Sequence, residues 1–357
     1  MLRCLGLFQV SLLFFLVFND KVMKKFIIGI DVSKEKLDFC FLQTDAAILE
    51  EEIIENSTQA VRTRLAKFKK NNKAASEDIL ICAEYTGQYT YPLSTVCNEL
   101  CIDLWLENPA QIKYSSGIHR GKNDKLDARK IARYAERYMD KAQLFTLPDK
   151  AIASLKQLIS ERDMYVVDKA KYQGQLTDQK RFMNKDDYKK KEKRLKSLIL
   201  ELNEAVDQID KQIKKLIDDD ENLSKQHELL CSVDGVGERT AIKMIVETNA
   251  FKDFTDARKF CCHAGVAPFE YTSGSSVRSK NKVSNRADKS IKSLLHMAAL
   301  STIRMDGELH DYYQRKVAEG KNKMSVINAV RAKIVYRMFA VINNKKFYEK
   351  NYVYSLA

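Results

Sequence analysis

Four carboxylates stand where acidic side chains are costly to place without a partner. Asp31 interrupts one apolar run and Glu84 ends a second one, and buried strands rarely end in carboxylates without a partner. Asp124 and Asp127 are three residues apart at a predicted helix start, so both side chains project from one helix face. If the four acids converge at one edge of a sheet, they form a cage of oxygen ligands that suits Mg²⁺ or Mn²⁺.

Such a site predicts metal-assisted phosphodiester chemistry, because two divalent ions about 4 Å apart can activate the attacking oxygen and stabilise the leaving oxygen. Each acid also has an ordinary structural explanation. Asp31 fits a turn residue, and Glu84 fits an exposed strand end. Asp124 and Asp127 fit an N-cap and a first-turn acid, which the helix dipole favours. The order and placement of the four acids together favour the metal site.

The segment before Pro109 alternates strands and helices in a way that can position these acids. Three short apolar segments joined by polar turns predict an antiparallel meander: residues 26–32, 37–42 and 48–54. A helix follows, with Ser57 or Thr58 as its N-cap. A buried strand over residues 78–85 then leads to a second helix and a last strand. The pattern predicts a mixed sheet flanked by helices.

The middle of the chain has a different pattern. Within residues 151–220, apolar residues recur at helical spacing over two long stretches, which predicts two long helices that form an antiparallel hairpin. Between these stretches, residues 180–196 hold nine basic and three acidic residues. This cluster fits either a solvated hairpin tip or a phosphate contact. From Leu229 onward the pattern predicts short helices joined by loops.

A Gly-x-Gly turn lies between two of these short helices, within residues 229–247. Gly235 and Gly237 would allow a phosphate to approach the backbone closely, as in a helix-hairpin-helix. A tight turn between two packed helices explains the same residues. Both interpretations stay open at this point.

Residues 261–300 combine hydroxyl groups with a run of cations. A loop after Pro268 carries four hydroxyl side chains: Thr272, Ser273, Ser275 and Ser276. Six cations follow against a single acid, Asp288: Arg278, Lys280, Lys282, Arg286, Lys289 and Lys292. Hydroxyls flanked by cations suit a nucleophile that attacks phosphate, because the cations offset charge at the phosphorus. A serine-rich loop without chemistry fits the pattern as well.

Composition favours a nucleic-acid partner. The chain carries 61 basic and 48 acidic residues, a net charge of +13, which suits a polyanionic ligand, although a merely basic protein has the same balance. Apolar residues make up 45% of the chain, which excludes a disordered protein. The length of 357 residues predicts two or three folded units.

The eight cysteines contain no C-x-x-C pair, so free thiols in a reducing cytoplasm are expected. Cys261, Cys262 and His263 are adjacent, but neighbouring side chains diverge, so a metal site there needs distant partners.

An apolar run near the N-terminus, residues 5–18, looks like a secretory signal peptide. It lacks a small-residue cleavage pattern and is too short for an ordinary membrane span. Met23 offers another start, so residues 1–22 are predicted to be a mis-assigned extension rather than a targeting segment. No stable membrane association is expected.

Three motifs carry a specific resemblance: IGIDVSKEKLDF, AEYTGQY and NDKLDARKIARY. They resemble the motifs of the RuvC-like, RNase H-type domain in the DEDD transposases of the insertion sequence 110 family, relatives of the Piv-type DNA invertases. The resemblance extends over nearly the whole chain from Met23. It matches the four acids one for one to the family's metal ligands: Asp31, Glu84, Asp124 and Asp127.

The resemblance also implies the fold class and the domain order. An α/β RuvC-like domain with a mixed sheet is expected over residues 23–150. A long helical coiled-coil linker should follow over residues 151–222, and a mostly α-helical transposase domain over residues 223–357.

A fourth motif, AGVAPFEYTSG, resembles the C-terminal transposase motif of the same family. There the serine before the glycine is the nucleophile that joins covalently to DNA, and this position is Ser273. The neighbouring hydroxyl residues remain alternatives on spacing alone. Family members often carry glycine where Ala287 or Asp288 stands, a departure that weakens the comparison downstream of the serine.

The resemblance implies a transposase that cuts and rejoins DNA through a serine-linked intermediate, with Mg²⁺ or Mn²⁺ at the acids. It also implies a homo-oligomer, a dimer or tetramer, guided by a structured bridge RNA, in the cytoplasm at the nucleoid. Two other functions fit the residues: a RuvC-like metal-dependent junction nuclease, and a non-catalytic nucleic-acid-binding protein. The predicted nucleic-acid contacts are Gly235, Gly237, Arg278, Lys280, Lys282, Arg286 and Lys289.

Overall fold

The computed structural model describes residues 24–44, 48–115, 124–269, 272–273, 277–278, 282–283 and 287–350. The extension at residues 1–22 lies outside these ranges. The chain divides into two compact units, with the division after Leu147. In the described ranges, no helix combines the length and the apolar character needed to cross a membrane. A finer boundary between residues 151–222 and 223–357 stays a prediction.

The first unit contains a five-stranded mixed sheet. Its strands are β1 (Phe26–Val32), β2 (Lys36–Gln43), β3 (Ile48–Glu55), β4 (Ile79–Glu84) and β5 (Asp103–Glu107). Their order is β3-β2-β1-β4-β5. Strand β2 pairs antiparallel with β1 and β3, whereas β1, β4 and β5 run parallel. A meander of three strands followed by two parallel strands is the RNase H-like arrangement, which confirms the predicted fold.

In the described residues, four α-helices accompany this sheet: α1 (Thr58–Asn72), α2 (Tyr91–Glu99), α3 (Pro109–Ser115) and α4 (Asp124–Arg137). The side chain of Ser57 accepts a hydrogen bond from the amide of Ala60, which confirms Ser57 as the cap of α1. Successive residues of a strand point to opposite faces. One face packs against α1 and α2 through fully buried residues such as Ile28, and the other packs against α4 through residues such as Ile27.

The second unit is mostly helical in its described part. Its helices are α5 (Lys150–Asp178), α6 (Lys185–Asp218), α7 (Glu221–Cys231), α8 (Glu238–Glu247), α9 (Ala257–His263), α10 (Lys289–Thr302), α11 (Glu308–Ala318) and α12 (Lys323–Asn344). The predicted pair of long helices is present as α5 and α6. Arg162 of α5 is 6% exposed and donates from Nε to Oδ1 of Asp210 in α6 at 2.6 Å, which joins the two helices.

Between α9 and α10 the chain forms short strands, where the sequence predicted a loop. Strand β6 (Pro268–Phe269) pairs with β9 (Lys282–Val283), and β7 (Thr272–Ser273) pairs with β8 (Val277–Arg278), both antiparallel. Each strand has two residues, too few for the alternation that identifies a strand in sequence. We call residues 264–287 the serine segment.

Candidate active site

Helix α4 lies very close to β1 because Gly29 has no side chain. A Cβ atom at Gly29 would lie 2.3 Å from the amide nitrogen of Ala132 and 2.4 Å from the carbonyl oxygen of Ala128. Both alanines are buried and face the strand. The small residues on each side therefore let the first turns of α4 approach the sheet, next to the end of β1 that carries Asp31.

Three of the predicted metal ligands interact at this edge of the sheet. Asp31 and Glu84 each follow the last paired residues of the parallel β1–β4 ladder, Ile30 and Ala83, so they are neighbours across the two strands. The pKa of Glu84 is raised, first by burial and then by the negative charges of Asp31 and Asp127. Carboxylates that raise the pKa of a neighbour in this way lie within electrostatic reach of it.

The remaining member of the quartet, Asp124, is the first residue of α4. Its side chain lies outside the described part of the structure. Asp127 is partly exposed, and Nζ of Lys130 lies 2.7 Å from its Oδ1. The predicted helix start at Asp124 and Asp127 is present, but a ligand role for each acid stays a prediction.

A fifth carboxylate, Asp38, lies on the same face of the sheet. It is directly opposite Asp31 in the antiparallel β1–β2 ladder, and opposite residues project to the same face. Asp38 is 3% exposed; Nζ of Lys36 lies 3.1 Å from its Oδ2, while Oδ1 has no hydrogen-bond partner among the described residues. No role was predicted for Asp38 from the sequence, although a carboxylate inside the apolar strand β2 is unusual.

These side chains fit a hard divalent cation. Every donor at the edge is a carboxylate oxygen, the ligand type that Mg²⁺ and Mn²⁺ prefer. The charges that act on Glu84 are negative, and the buried Oδ1 of Asp38 adds a further unsatisfied acceptor on the same face. The ligand atoms of the quartet's described members do not form a group that lies entirely within 4.8 Å. The proposed cation site is therefore supported by the type of ligand atom, carboxylate oxygen, and not by a compact arrangement of the ligand atoms.

In the second unit, Ser273 lies in the short strand β7 and pairs with Val277. Its hydroxyl lies outside the described part of the structure, as do the side chains of Thr272, Arg278 and Lys282. Ser275, Ser276, Lys280 and Arg286 lie outside the described residues altogether. Lys289 begins α10 and is exposed. The structure therefore places the backbone of the proposed nucleophile in a hairpin-like ladder, but its chemical role stays a prediction.

The two ends of the serine segment are joined at its base. The amide of Asp288 donates to the carbonyl oxygen of His263 at 3.2 Å, and the Asp288 carboxylate caps α10. Ligand atoms of Glu247, His263 and Asp288 all lie within 4.8 Å of one another, so His263 does have distant acidic partners. Interaction with His263, and then with Lys243 at 2.8 Å, lowers the pKa of Glu247 to about 2. These ion pairs and the cap account for the cluster without a metal.

The Gly-x-Gly turn precedes α8. Gly235 has a φ of +80°, and a Cβ atom there would lie 2.0 Å from Oγ1 of Thr302 in α10. That hydroxyl donates to the carbonyl oxygen of Asp234 at 2.9 Å, so Gly235 allows two helices to pack closely. Gly237 is the N-cap of α8, and a Cβ atom there would face open space. A phosphate contact at either glycine stays a prediction, and Gly237 is the more accessible of the two.

Among solved structures, the chain is similar to Thermus thermophilus RuvC in complex with a Holliday junction substrate. The identity is 15%, the similarity covers 34% of this chain and 99% of that chain, and the TM-score is 0.26. Because this TM-score is low, the fold is assigned from the strand order of the sheet and not from this similarity.

Among curated proteins, the chain is similar to the pilin gene-inverting protein of Moraxella bovis. The two are 24% identical over 335 residues, which cover 92% of this chain and 99% of the relative. An uncharacterized 43.6 kDa protein of insertion element IS110 from Streptomyces coelicolor is 26% identical over 121 residues, or 34% of this chain and 30% of that protein.

Two family models match the chain. The model for DEDD-type IS110 transposases matches residues 28–183, which contain the acidic edge. The model described as the transposase IS116/IS110/IS902 family matches residues 227–314, which contain the serine segment. Together the matches extend over about two thirds of the chain. The chain therefore belongs to the IS110 family of transposases, enzymes that cut and rejoin DNA.

Proposed function

We propose that this transposase moves a mobile element by cutting and rejoining DNA through a covalent intermediate on Ser273. The observation that carries the proposal is the convergence of Asp31, Glu84 and Asp127 at one edge of the sheet, where the charges of Asp31 and Asp127 both act on Glu84. An acidic edge alone suits a nuclease. The ladder that holds Ser273, in the part of the chain matched to a transposase, supports the covalent step.

The acidic quartet would hold Mg²⁺ or Mn²⁺, and the ion would supply electrostatic stabilisation of the phosphate oxygens. Asp31, Glu84, Asp124 and Asp127 are the residues proposed as ligands. Asp38 and Lys36 lie on the neighbouring strand, and their ion pair orients the Asp38 carboxylate beside Asp31.

Ser273 performs the exchange itself. Its hydroxyl oxygen forms a bond to phosphorus, the bond from phosphorus to one deoxyribose oxygen breaks, and that oxygen takes up the proton. The rejoining step reverses these changes with a different DNA hydroxyl as the attacking group. The serine–phosphate bond conserves the energy of the broken linkage, so the reaction requires no nucleotide triphosphate.

The partners follow from the chemistry and the family. The quartet and Ser273 belong to different compact units, so both units must reach the same DNA, either from one chain or from two chains of an oligomer. A dimer or tetramer is proposed for this reason. The name of the Moraxella bovis relative refers to inversion of a gene, and we propose the same class of DNA rearrangement here, in the cytoplasm at the nucleoid.

A structured guide RNA is proposed as a second nucleic-acid partner. The exposed basic residues at the start of α6 are available for such a contact, because most of residues 185–194 are exposed. Arg278, Lys280, Lys282, Arg286 and Lys289 are proposed contacts on the side of the DNA. A steep loss of affinity with added salt is expected for both ligands.

The test is a trapping experiment with a DNA substrate that carries the element's junction. The parent protein with Mg²⁺ should form a protein–DNA adduct that resists denaturant. Ser273→Ala should abolish the adduct, whereas Ser275→Ala, the matched control, should retain it. Asp31→Asn should also lose it.

Each other outcome identifies a different function. Cleavage without an adduct in both the parent and Ser273→Ala indicates a metal-dependent junction nuclease. Binding with neither cleavage nor an adduct indicates a non-catalytic DNA-binding protein.

A further inference from the structure

Helix α12 contains a buried cation that has no acidic partner among the described residues. Arg331 is 7% exposed, and its Nε has no hydrogen-bond partner there. Burial lowers the pKa of Arg331, and no carboxylate opposes that effect. A guanidinium stays protonated in a protein, so its charge persists. An uncompensated buried charge is strongly unfavourable and needs an explanation.

The other buried arginines of the described chain are compensated. Arg64 is 4% exposed and lies 2.5 Å from a carboxylate oxygen of Glu50 and 2.5 Å from one of Glu52. Arg162 pairs with Asp210 at 2.6 Å. Arg64 and Arg162 therefore have acidic partners that neutralise their charges, whereas Arg331 has none among the described residues.

The contacts of Arg331 determine the state of a histidine. Its Nη2 lies 2.6 Å from Nδ1 of His296 in α10. A guanidinium can only donate hydrogen bonds, so Nδ1 must accept, and the imidazole proton is on Nε2. His296 is only partly buried. The Nε2–H group is therefore a donor whose orientation is determined by the buried arginine behind it.

The same arginine is connected to the base of the serine segment. Its Nη1 donates to Oδ1 of Asn328 at 3.4 Å, and Nδ2 of Asn328 donates to the carbonyl oxygen of Val266 at 2.7 Å. Val266 is buried and precedes β6, two residues before Pro268. A chain of hydrogen bonds thus links Arg331 to the part of the backbone from which the serine segment begins.

His296 extends a line of hydrogen-bond donors along α10. Lys289, Lys292 and His296 are spaced by three and four residues, so they share one helix face. Within the described ranges neither lysine has a carboxylate partner. Two ammonium groups and one imidazole N–H on the same face form a set of donors that suits successive phosphates of a nucleic-acid strand.

We propose that the Arg331–His296 pair is a phosphate-binding element for the DNA strand that the serine segment attacks. His296 donates its Nε2–H group to a phosphate oxygen, and the phosphate supplies the negative charge that Arg331 lacks. Arg331 is a positioning residue, because it acts through His296. The inference rests on the proposed function of Ser273 and selects DNA over RNA, because the pair is linked to the base of the serine segment.

The charged groups around the imidazole support this arrangement. The pKa of His296 is lowered, first by burial and then by the charge of Arg331. Helix α8, which packs against α10, contributes Lys243 and Glu247, and these pair with each other. Two other cations of α12 contact residues of α11: Lys333 and Arg337. Because its pKa is lowered and its Nδ1 accepts a hydrogen bond from Arg331, His296 is a neutral donor at neutral pH.

The first test is ¹⁵N NMR of the histidine side chains in the full chain, which contains five histidines. At pH 7, His296 should show a proton on Nε2 and a pKa below that of a free imidazole. His310 is the internal control, because its Nδ1 lies 2.8 Å from the carbonyl oxygen of Ile303 and must carry the proton. In Arg331→Lys the His296 pKa should stay low, and in Arg331→Met it should rise.

Duplex DNA should shift the His296 Nε2 signal and leave the His310 signals unchanged. Inorganic phosphate at matched ionic strength and an RNA duplex of the same sequence are the comparison ligands. A shift with RNA but none with DNA overturns the choice of DNA. A protonated Nδ1 on His296, or no shift with any ligand, overturns the phosphate site.

The second test measures the rate of adduct formation. His296→Ala should reduce it by about tenfold to hundredfold, as expected for the loss of a hydrogen bond to a charged group. His296→Gln, which keeps a donor near the Nε2 position, should recover part of the rate. If the parent forms the adduct and His296→Ala forms it equally fast, the inference is wrong. If the parent forms none, the proposed function fails, and the NMR result still decides whether a phosphate site exists.

Discussion

The two units of this transposase each contain a charge that the fold leaves unbalanced, negative in the first unit and positive in the second. At the edge of the first sheet, burial and two negative charges raise the pKa of Glu84. In the second unit, Arg331 is buried with no acid among the described residues, and its Nη2 lies 2.6 Å from a neutral imidazole. Glu84 therefore has neighbours of like charge, whereas Arg331 has no carboxylate partner among the described residues.

Functional charges differ from structural ones in the partners that the fold gives them. Arg64, stacked 4.0 Å above the ring of Phe41 and paired with two glutamates, has its charge neutralised by the fold. Among the described residues, neither Glu84 nor Arg331 has a partner of opposite charge. A divalent metal and a DNA phosphate are the two components that the proposed reaction adds. Each one supplies the charge that its region lacks.

The largest expected effect comes from removing a charge of the acidic region. Asp127→Asn should reduce cleavage and adduct formation by at least about hundredfold, because loss of a group that merely orients a metal ligand often costs about tenfold to hundredfold. The measurement is the single-turnover rate in Mg²⁺ and in Mn²⁺. Asp103→Asn, whose carboxylate pairs with Lys24, is the matched control and should keep the parental rate. Equal rates for the two variants would remove Asp127 from the metal site.

Substitutions of the buried arginines Arg64 and Arg331 should have different effects on stability. Arg64→Met should destabilise the first unit by up to about 3 kcal/mol, because it breaks a buried ion pair and leaves two glutamates without a partner. Arg331→Met should leave the second unit as stable as the parent or more stable, because it removes an uncompensated charge.

Thermal unfolding followed by circular dichroism provides the measurement, with the two transitions analysed separately. A clear destabilisation by Arg331→Met would show that the guanidinium is a structural element, and the contrast with Arg64 would fail.

Glu84→Gln should raise the Tm of the metal-free protein, because it removes a carboxylate that the fold places beside two others. A folded-state pKa above the unfolded value means that the folded state binds the proton more tightly. The stability contributed by protonated Glu84 is therefore fully present below its ordinary pKa of 4.5 and is lost as the pH rises through the raised value.

The parent protein in a chelator should therefore show a decrease of Tm over that pH range, and Glu84→Gln should reduce the decrease. Mg²⁺ should also raise the Tm of the parent at neutral pH but not that of the variant. An unchanged pH profile in Glu84→Gln would contradict the coupling among the acids.

The smallest expected effect is at the base of the serine segment. Glu247 has a pKa of about 2, so its contribution to stability is present above its ordinary pKa of 4.5 and is lost as the pH falls toward 2. His263→Ala should move acid unfolding to a higher pH. Its cost in unfolding free energy should be less than about 1 kcal/mol, because the imidazole is partly exposed. His227→Ala, whose ring contacts Cys231, is the control for acid titrations.

Much of the first unit was predictable from its pattern. Short apolar segments and polar turns indicated every strand of the sheet, because each strand has enough residues to show its character. The order of Asp31, Glu84 and Asp127 indicated the acidic edge before any distance was known. Asp38 was not identified, because a single acid in a buried strand has no spacing partner, and only the β1–β2 register places it opposite Asp31.

The second unit shows the opposite balance. Long helices were evident from the apolar spacing of α5 and α6, but the two-residue strands around Ser273 pair residues that no local pattern connects. The Arg331–His296 pair joins residues 35 positions apart on two helices. Its significance depends on the lack of an acidic partner for Arg331 in the described part of the structure, which a sequence does not show.

The amino-acid sequence by itself determined the chemistry that is available: carboxylates on strands and on a helix, hydroxyls followed by cations, and motifs that identify a transposase. Local periodicity and residue type are sufficient for those conclusions, because they depend on neighbours along the chain. Tertiary packing decided which charges are neutralised and which are not. The approach of α4 to Gly29 brings like charges together, and the packing of α10 against α12 buries Arg331 with no acid among the described residues. Burial and partner choice depend on residues far apart in the chain.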